Sequence, residues 1–244
     1  MVLDAWMLII KRFKMAKILN IETSSKHCSV ALAIDGEIVR GFESKEEMDH
    51  SISLAPFVED CMKYLNDNNL KLDAVCVTDG PGSYTGIRIG LSMAKGLAFS
   101  LDIPLITLSS LEVLAVRAIF TYHNFNGDET IVPMIDARRM EVYTTVFDSG
   151  LKRKMEEKAL VLNENSYFDI FKDKKILFIG DGSDKFKELY GGDNAIWIEN
   201  GMPHAKFMVT LAEKRLKESK FADVAYSSPR YLKEYQATQS KPRL

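Results

Sequence analysis

Ala74-Val75-Cys76-Val77-Thr78 followed by Asp79-Gly80-Pro81-Gly82-Ser83-Tyr84-Thr85-Gly86-Ile87-Arg88-Ile89-Gly90 is the stretch that decides the fold. The first five residues are a short apolar run rich in β-branched side chains and bounded by turn signals, the pattern of a buried strand. Gly80–Ser83 reads as a loop, and a helix is expected from about Tyr84 to Phe99. Downstream, Pro104–Leu108 reads as a strand, and Ser109 caps a helix through Phe120. Upstream, Leu54, Val58, Cys61 and Leu65 share one helical face. Pro56 must sit in the first turn of that helix or kink it, and Asn66-Asp67-Asn68-Asn69 ends it. Before it, Ile18–Thr23, Cys28–Ile34 and Glu37–Phe42 form a three-stranded meander, with Asp35-Gly36 as its tight turn. The order is β-β-β-α-β-α-β-α.

Thr121–Glu129 is a polar connector, after which the order recurs. Strands are expected at Ile131–Asp136, Glu141–Phe147 and Lys154–Leu162, and a helix at about Glu164–Phe171. Then come a strand at Lys175–Ile179, a short helix after Gly180-Asp181-Gly182, a strand at Ala195–Ile198 and a helix over roughly Pro203–Lys217. A meander followed by αβαβα is the ribonuclease-H-like layout. Two tandem copies give an α/β protein of duplicated ribonuclease-H-like lobes, the actin-like (ASKHA) superfold with a cleft between lobes. The expected division is a leader over 1–14, lobes over 15–120 and 121–225, and a tail over 226–244.

The chain has 244 residues and a net charge of -2, so it lacks the basic excess of a protein that holds nucleic acid alone. Cys28, Cys61 and Cys76 have no metal-ligand spacing and lie in apolar patterns, which reads as buried thiols in a reducing, cytoplasmic setting. In residues 1–14, the apolar run Trp6–Ile10 precedes Lys11, Arg12 and Lys14. That is the reverse of a secretory signal, and far short of the ~18 apolar residues of a membrane span. Met15, directly before the first strand, reads as the native start.

The Gly-rich loop exposes backbone N–H groups at a helix start and suits an anion. It lacks the Lys-Ser/Thr pair of a P-loop and the dinucleotide spacing G-x-G-x-x-G. Behind it, Gly86, Gly90, Ala94 and Ala98 recur every fourth residue, with Gly96 beside them. A mid-helix glycine costs ~1 kcal/mol against alanine, so the stripe is expected to admit another backbone; packing against its own sheet is the competing reading. Glu22, Asp79, Asp136 and Asp181 stand at strand ends, where cleft carboxylates could hold a metal-bound nucleotide, or serve only the turns. Ser24 and Ser25, in a hydroxyl run after the first strand, could embrace a phosphate. His27, His50, His123 and His204 form no H-x-x-x-H pattern, and no metal site is expected. No G-x-S-x-G elbow is present. Asp49-His50-Ser51 has triad residues in a row, but its place is that of a helix N-terminus.

Several segments resemble the TsaB (YeaZ) family: Ile18–Ser24, His50-Ser51, Gly80–Gly90, Ile135-Asp136-Ala137-Arg138 with Glu141-Val142-Tyr143, and Pro229-Arg230-Tyr231-Leu232. The resemblance spans about Met15 to Tyr235. It implies the duplicated actin-like fold and a role in making threonylcarbamoyladenosine at position 37 of tRNA. It also implies a non-catalytic scaffold that supports a catalytic paralogue, TsaD, whose H-x-x-x-H metal motif is missing here. A TsaE-like ATPase is implied as a further partner, a homodimer in isolation, and contact with tRNA only through the complex. No intrinsic cofactor is implied; ATP or ADP enters, if at all, with the partners. The implied partner interface lies on the helices His50–Leu65 and Thr85–Phe99. Its residues are His50, Ser51, Leu54, Val58, Cys61 and Met62 on the first, and Gly86, Arg88, Ile89, Gly90, Met93 and Gly96 on the second. Glu22 departs from the family's usual Asp, and Arg139 from a usual small or apolar residue.

Two functional readings follow. In the first the chain is a scaffold, and Gly90→Leu is expected to abolish partner binding while leaving the fold intact. In the second it is an autonomous ATPase or small-molecule kinase of the same fold, with Ser24, Ser25, Asp136 and Asp181 at the nucleotide and turnover lost in Asp136→Ala.

Overall fold

The computed structural model describes residues 16–44, 46, 49–167, 175–190 and 192–233. The expected leader, Met15 as start, the helix beyond residue 167 and the tail beyond residue 233 lie outside the described residues.

The meander forms as expected, from β1 (Lys17–Glu22), β2 (Ser29–Ile34) and β3 (Glu37–Glu43). Asp35 and Gly36 both take positive φ, 51° and 80°, which gives the turn a twist matching the flanking strands. There follow α1 (His50–Asp67), β4 (Ala74–Gly80), α2 (Tyr84–Leu101), β5 (Leu105–Ser109) and α3 (Ser110–Thr121). The second half comprises β6 (Thr130–Asp136), β7 (Glu141–Asp148), β8 (Arg153–Val161), β9 (Ile176–Ile179), α4 (Ser183–Lys187), β10 (Ala195–Ile198), a 3-10 turn (Ala205–Phe207) and α5 (Val209–Lys217).

The strand orders are β3-β2-β1-β4-β5 and β8-β7-β6-β9-β10. Each half therefore places its first strand centrally, antiparallel to the second and parallel to the fourth. The same topology twice is the duplicated ribonuclease-H-like architecture, an actin-like fold. Where the last helix was expected over roughly Pro203–Lys217, a 3-10 turn comes first and α5 starts at Val209. Residues 164–167 form a turn.

Pro56 is the seventh residue of α1, beyond the first turn, and the helix continues through it. The carbonyl it deprives of a donor belongs to Ile52, which is 73% exposed, so solvent satisfies it. Ser109 caps α3 as expected, its hydroxyl accepting from Leu111 N at 3.2 Å.

The first sheet carries α1 and α2 on its outer face through Leu19, Ile21, Val75 and Val77. Its inner face, Ile18, Ala74, Cys76, Ile106 and Leu108, is covered by Val113 and Val116 of α3 and by Met208, Leu211 and Ala212 from the end of the chain. The opposite side of α3, Leu111, Leu114, Ala115 and Ala118, packs on Ile131, Ile135, Leu177 and Ile179 of the second sheet. All three cysteines are free and buried, and burial pushes the Cys28 and Cys61 thiols up to about 12.

Candidate functional site: the inter-sheet cleft and the α1–α2 face

The carboxyl ends of β1 and β4 face those of β6 and β9 across a cleft of about 1170 Å³. This is where ligands sit in open α/β sheets. The strand-end acids expected there do gather at this end of the molecule, but each is already engaged.

Glu22 is fully buried at the end of β1. Its Oε1 accepts from both Ser24 N and Ser24 Oγ at 2.5 Å, while Oε2 has no hydrogen-bond partner. Desolvation outweighs the bonds from Ser24 and the nearby Thr78 hydroxyl and raises its pKa to about 7. Asp136 Oδ1 accepts from Lys185 Nζ at 2.6 Å and from Arg138 N at 2.5 Å. Asp181 Oδ1 accepts from Asp136 N at 2.9 Å, and burial raises its pKa.

Ser24 and Ser25, expected at a phosphate, both line the cleft. Ser83 N donates to Ser24 O at 2.7 Å, so the Gly-rich loop closes directly on the turn after β1. A Cβ on Gly82 would lie 2.2 Å from that same carbonyl. Ser24 and Ser25 nonetheless stay on the wall of the cleft, beside Gly82, Ser83 and Tyr84. Ser25 in turn gives its carbonyl to His50 Nε2 at 2.9 Å. His50 is thus a buried brace at the start of α1, as expected of a helix N-terminus, and Ser51 beside it is exposed.

Asp79 belongs to an arrangement that the sequence did not disclose. Arg230 donates to Asp79 Oδ2 at 3.2 Å and to Glu157 Oε2 at 2.9 Å, and its backbone N donates to Asp79 O at 2.7 Å. Asp79 ends a strand of the first sheet, Glu157 lies on β8 of the second, and Arg230 comes from the tail. Glu157, 4% exposed, also accepts from Arg153 at 2.6 Å. Its place on the inward parity of β8, with Met155 and Ala159, was the available signal. Desolvation lifts Asp79 to about 6 against the opposing pull of Arg230. Arg230→Ala should leave buried Asp79 without its cation, while Glu157 keeps Arg153, and destabilise the protein by about 2 kcal/mol, less than for a fully buried pair because the guanidinium is partly solvated. Chemical denaturation at pH 7.5 checks this, and the loss should shrink at pH 5, where Asp79 is protonated.

The tail reaches this point along α2. Lys95 Nζ donates to Ala225 O and Ser227 O, and Arg88 Nε donates to Tyr231 Oη at 2.9 Å while its guanidinium lies 3.8 Å from the Tyr84 ring centroid.

The small-residue stripe faces inward, which corrects the expectation that it admits a partner backbone. Gly86, Gly90, Ala94 and Ala98 are all buried. A Cβ on Gly86 would lie 2.1 Å from Thr23 O, and one on Gly90 would lie 2.2 Å from Thr23 Oγ1. The close approach is to the end of β1. Leu54, Val58 and Cys61 likewise face the core of the first half, together with His50. Of the expected interface residues, Ser51, Arg88 and Gly96 are exposed, and Met62, Ile89 and Met93 are half-buried. Tyr84, Thr85, Arg88, Ile89, Ser92 and Met93 line a surface groove of about 480 Å³ on α2.

Among the described residues, no group of three or more His, Cys, Asp or Glu side chains could hold a metal ion.

Comparison with known proteins places the chain. The family model described as "TsaD: tRNA N6-adenosine threonylcarbamoyltransferase" matches residues 44–241. The tRNA threonylcarbamoyladenosine biosynthesis protein TsaB of Bacillus subtilis is 31% identical, over 84% of this chain and 85% of its own length. The protein of the same name from Escherichia coli is 29% identical, over 93% of this chain and 98% of its own. The solved structure of YeaZ from Pseudomonas aeruginosa superposes with a TM-score of 0.74 at 28% identity, over 89% of this chain and all of that one. In sequence and in fold alike, the chain belongs to the TsaB (YeaZ) family.

Proposed function

We propose that this chain is the scaffold subunit of the machinery that forms threonylcarbamoyladenosine at position 37 of tRNA, and that it supports a TsaD-type catalytic paralogue without performing chemistry itself. The match to TsaB relatives along nearly the whole chain carries the reading. The sequence has no H-x-x-x-H motif, and the cleft acids are spent on internal partners: Asp136 on Lys185, and Asp79 on Arg230. In this reading ATP or ADP enters with the partners, among them a TsaE-type ATPase.

The docking surface in this reading is the outer face of α1 and α2, including Ser51, Arg88, Ile89, Met93 and Gly96. In isolation a second copy covers the same face. The complex works in the cytoplasm, where tRNA is modified; no helix among the described residues is long and apolar enough to cross a membrane. The test is co-purification with the TsaD-type paralogue, followed by a modification assay with and without this chain. Modification should require the chain, and the pure chain should turn over no ATP. Hydrolysis by the pure chain that disappears in Asp136→Ala would instead favour the autonomous ATPase.

A further inference from the structure

The hairpin between β6 and β7 puts two adjacent arginines on the lip of the cleft. Arg138 and Arg139 both have positive φ, 73° and 51°, a conformation that favours Gly and Asn and that concentrates at functional sites when other residues hold it. The hairpin is held there by three bonds: Arg138 N to Asp136 Oδ1, Ala137 N to Glu141 O, and Glu141 N to Arg138 O. Both side chains are exposed and both line the cleft. Neighbouring cations are neutralised: Lys185 by Asp136, Lys233 by Glu141, and Arg230 by Asp79 and Glu157. Among the described residues, no carboxylate pairs with Arg138 or Arg139.

Two unspent guanidinium groups on a rigid, strained tip suit phosphate. Both arginines stand at the exposed lip of the cleft, where a large ligand has access from solvent. A phosphate at this lip can belong to a chain too large to enter the cleft, as in a polynucleotide backbone. We propose that Arg138 and Arg139 form a contact site for RNA backbone phosphate, contributed by this subunit to tRNA held in the assembled complex. This rests on the scaffold reading. It also reconciles a chain of net charge -2 with an RNA substrate, because two local contacts need no basic excess over the whole surface.

The test measures tRNA affinity of the complex of this chain with its TsaD-type and TsaE-type partners across a salt series, for the wild type and for the double variant Arg138→Gln/Arg139→Gln. Each lost phosphate contact lowers the slope of log affinity against log salt by about 1. The double variant should lower the slope by about 2 and weaken binding at least about tenfold at low salt, while Arg138→Lys/Arg139→Lys keeps most of the slope. An unchanged slope in a complex that assembles normally overturns the contact. A wild-type chain that does not enter the complex overturns the scaffold reading and this one with it. A parallel titration of the complex with ATP and ADP separates the two sources of phosphate: nucleotide affinity lost in the double variant while the tRNA slope stays constant assigns the arginines to nucleotide and overturns the RNA contact. Equal thermal midpoints for wild-type and variant chains show that the change is not one of folding.

Discussion

Gly86→Ala and Gly90→Leu should each remove the folded protein rather than its interactions, with no cooperative thermal transition and recovery in the insoluble fraction. At Gly86 the new methyl would sit 2.1 Å from the Thr23 backbone carbonyl, and no side-chain rotation relieves that. At Gly90 the Cβ alone meets Thr23 Oγ1 at 2.2 Å and the Thr23 Cβ at 3.3 Å, before the rest of leucine is placed. Both collisions fall between α2 and β1, the central strand of the first sheet. Overpacking at ordinary core sites costs about 1–3 kcal/mol. Here the new carbon meets the Thr23 carbonyl at Gly86 and the β-branched Thr23 side chain at Gly90, and about 3–5 kcal/mol is expected, a large part of the ~5–15 kcal/mol that holds a domain. Gly96→Leu on the same helix is the control: a Cβ there meets nothing within 4 Å, and its melting temperature should stay close to the wild type's. Calorimetry on the three variants checks the contrast; a folded Gly86→Ala protein with a normal midpoint would show that α2 and β1 separate easily. Binding experiments on the α2 surface should therefore use Arg88, Ile89 or Met93, since a failure of Gly90→Leu to bind would report only unfolding.

The second large effect is expected at Glu22, and in the opposite direction. Its carboxyl titrates near 7 in the folded chain against a model-peptide value of 4.5. A carboxyl whose pKa is raised on folding binds more protons in the native state. Its contribution to stability is therefore full below the unfolded value and lost as pH rises through the folded one. Between pH 4.5 and pH 7 the wild type should lose about 3 kcal/mol from this group. Glu22→Gln removes the titration. The amide oxygen can keep the two bonds from Ser24, and the amide NH₂ can donate to Thr78 Oγ1, the buried hydroxyl beside the carboxyl. The variant should gain about 2–3 kcal/mol over wild type at pH 8 and little at pH 4.5. Denaturant unfolding of both proteins across that range provides the test, and parallel pH profiles would mean that Glu22 is solvated or paired in solution.

What could be read from the sequence follows from the range over which each signal acts. Element order was legible because period and turn chemistry are local: Asp35-Gly36, the apolar run before Asp79 and the Ser109 cap all lie where expected. The duplication followed from order alone. The direction of the glycine stripe was not legible. A helix that is apolar on several sides does not reveal which side meets its own sheet, and the deciding contact, Thr23, is more than sixty residues away from Gly86. Arg230 was visible only as part of a resemblance, because its partners Asp79 and Glu157 come from different sheets and no spacing rule links the three. Pro56 shows a tertiary override: burial of Leu54, Val58, Cys61 and Leu65 carries α1 past a residue that would end an isolated helix.

The position of α5 has a consequence for how such a duplicated chain can be divided. α5 arrives last in the sequence, yet it lies on β1 and β5, while α3, which closes the first half, rests largely on β6 and β9. The repeats are interlocked. A chain cut at the connector would leave Ile18, Ala74, Cys76, Ile106 and Leu108 without their α5 cover, and it would strip α3 from the second sheet. The ancestral unit suggested by the repeated topology is therefore no longer a unit of stability here: synthesis must reach residue 217 before the first sheet has its complete inner layer.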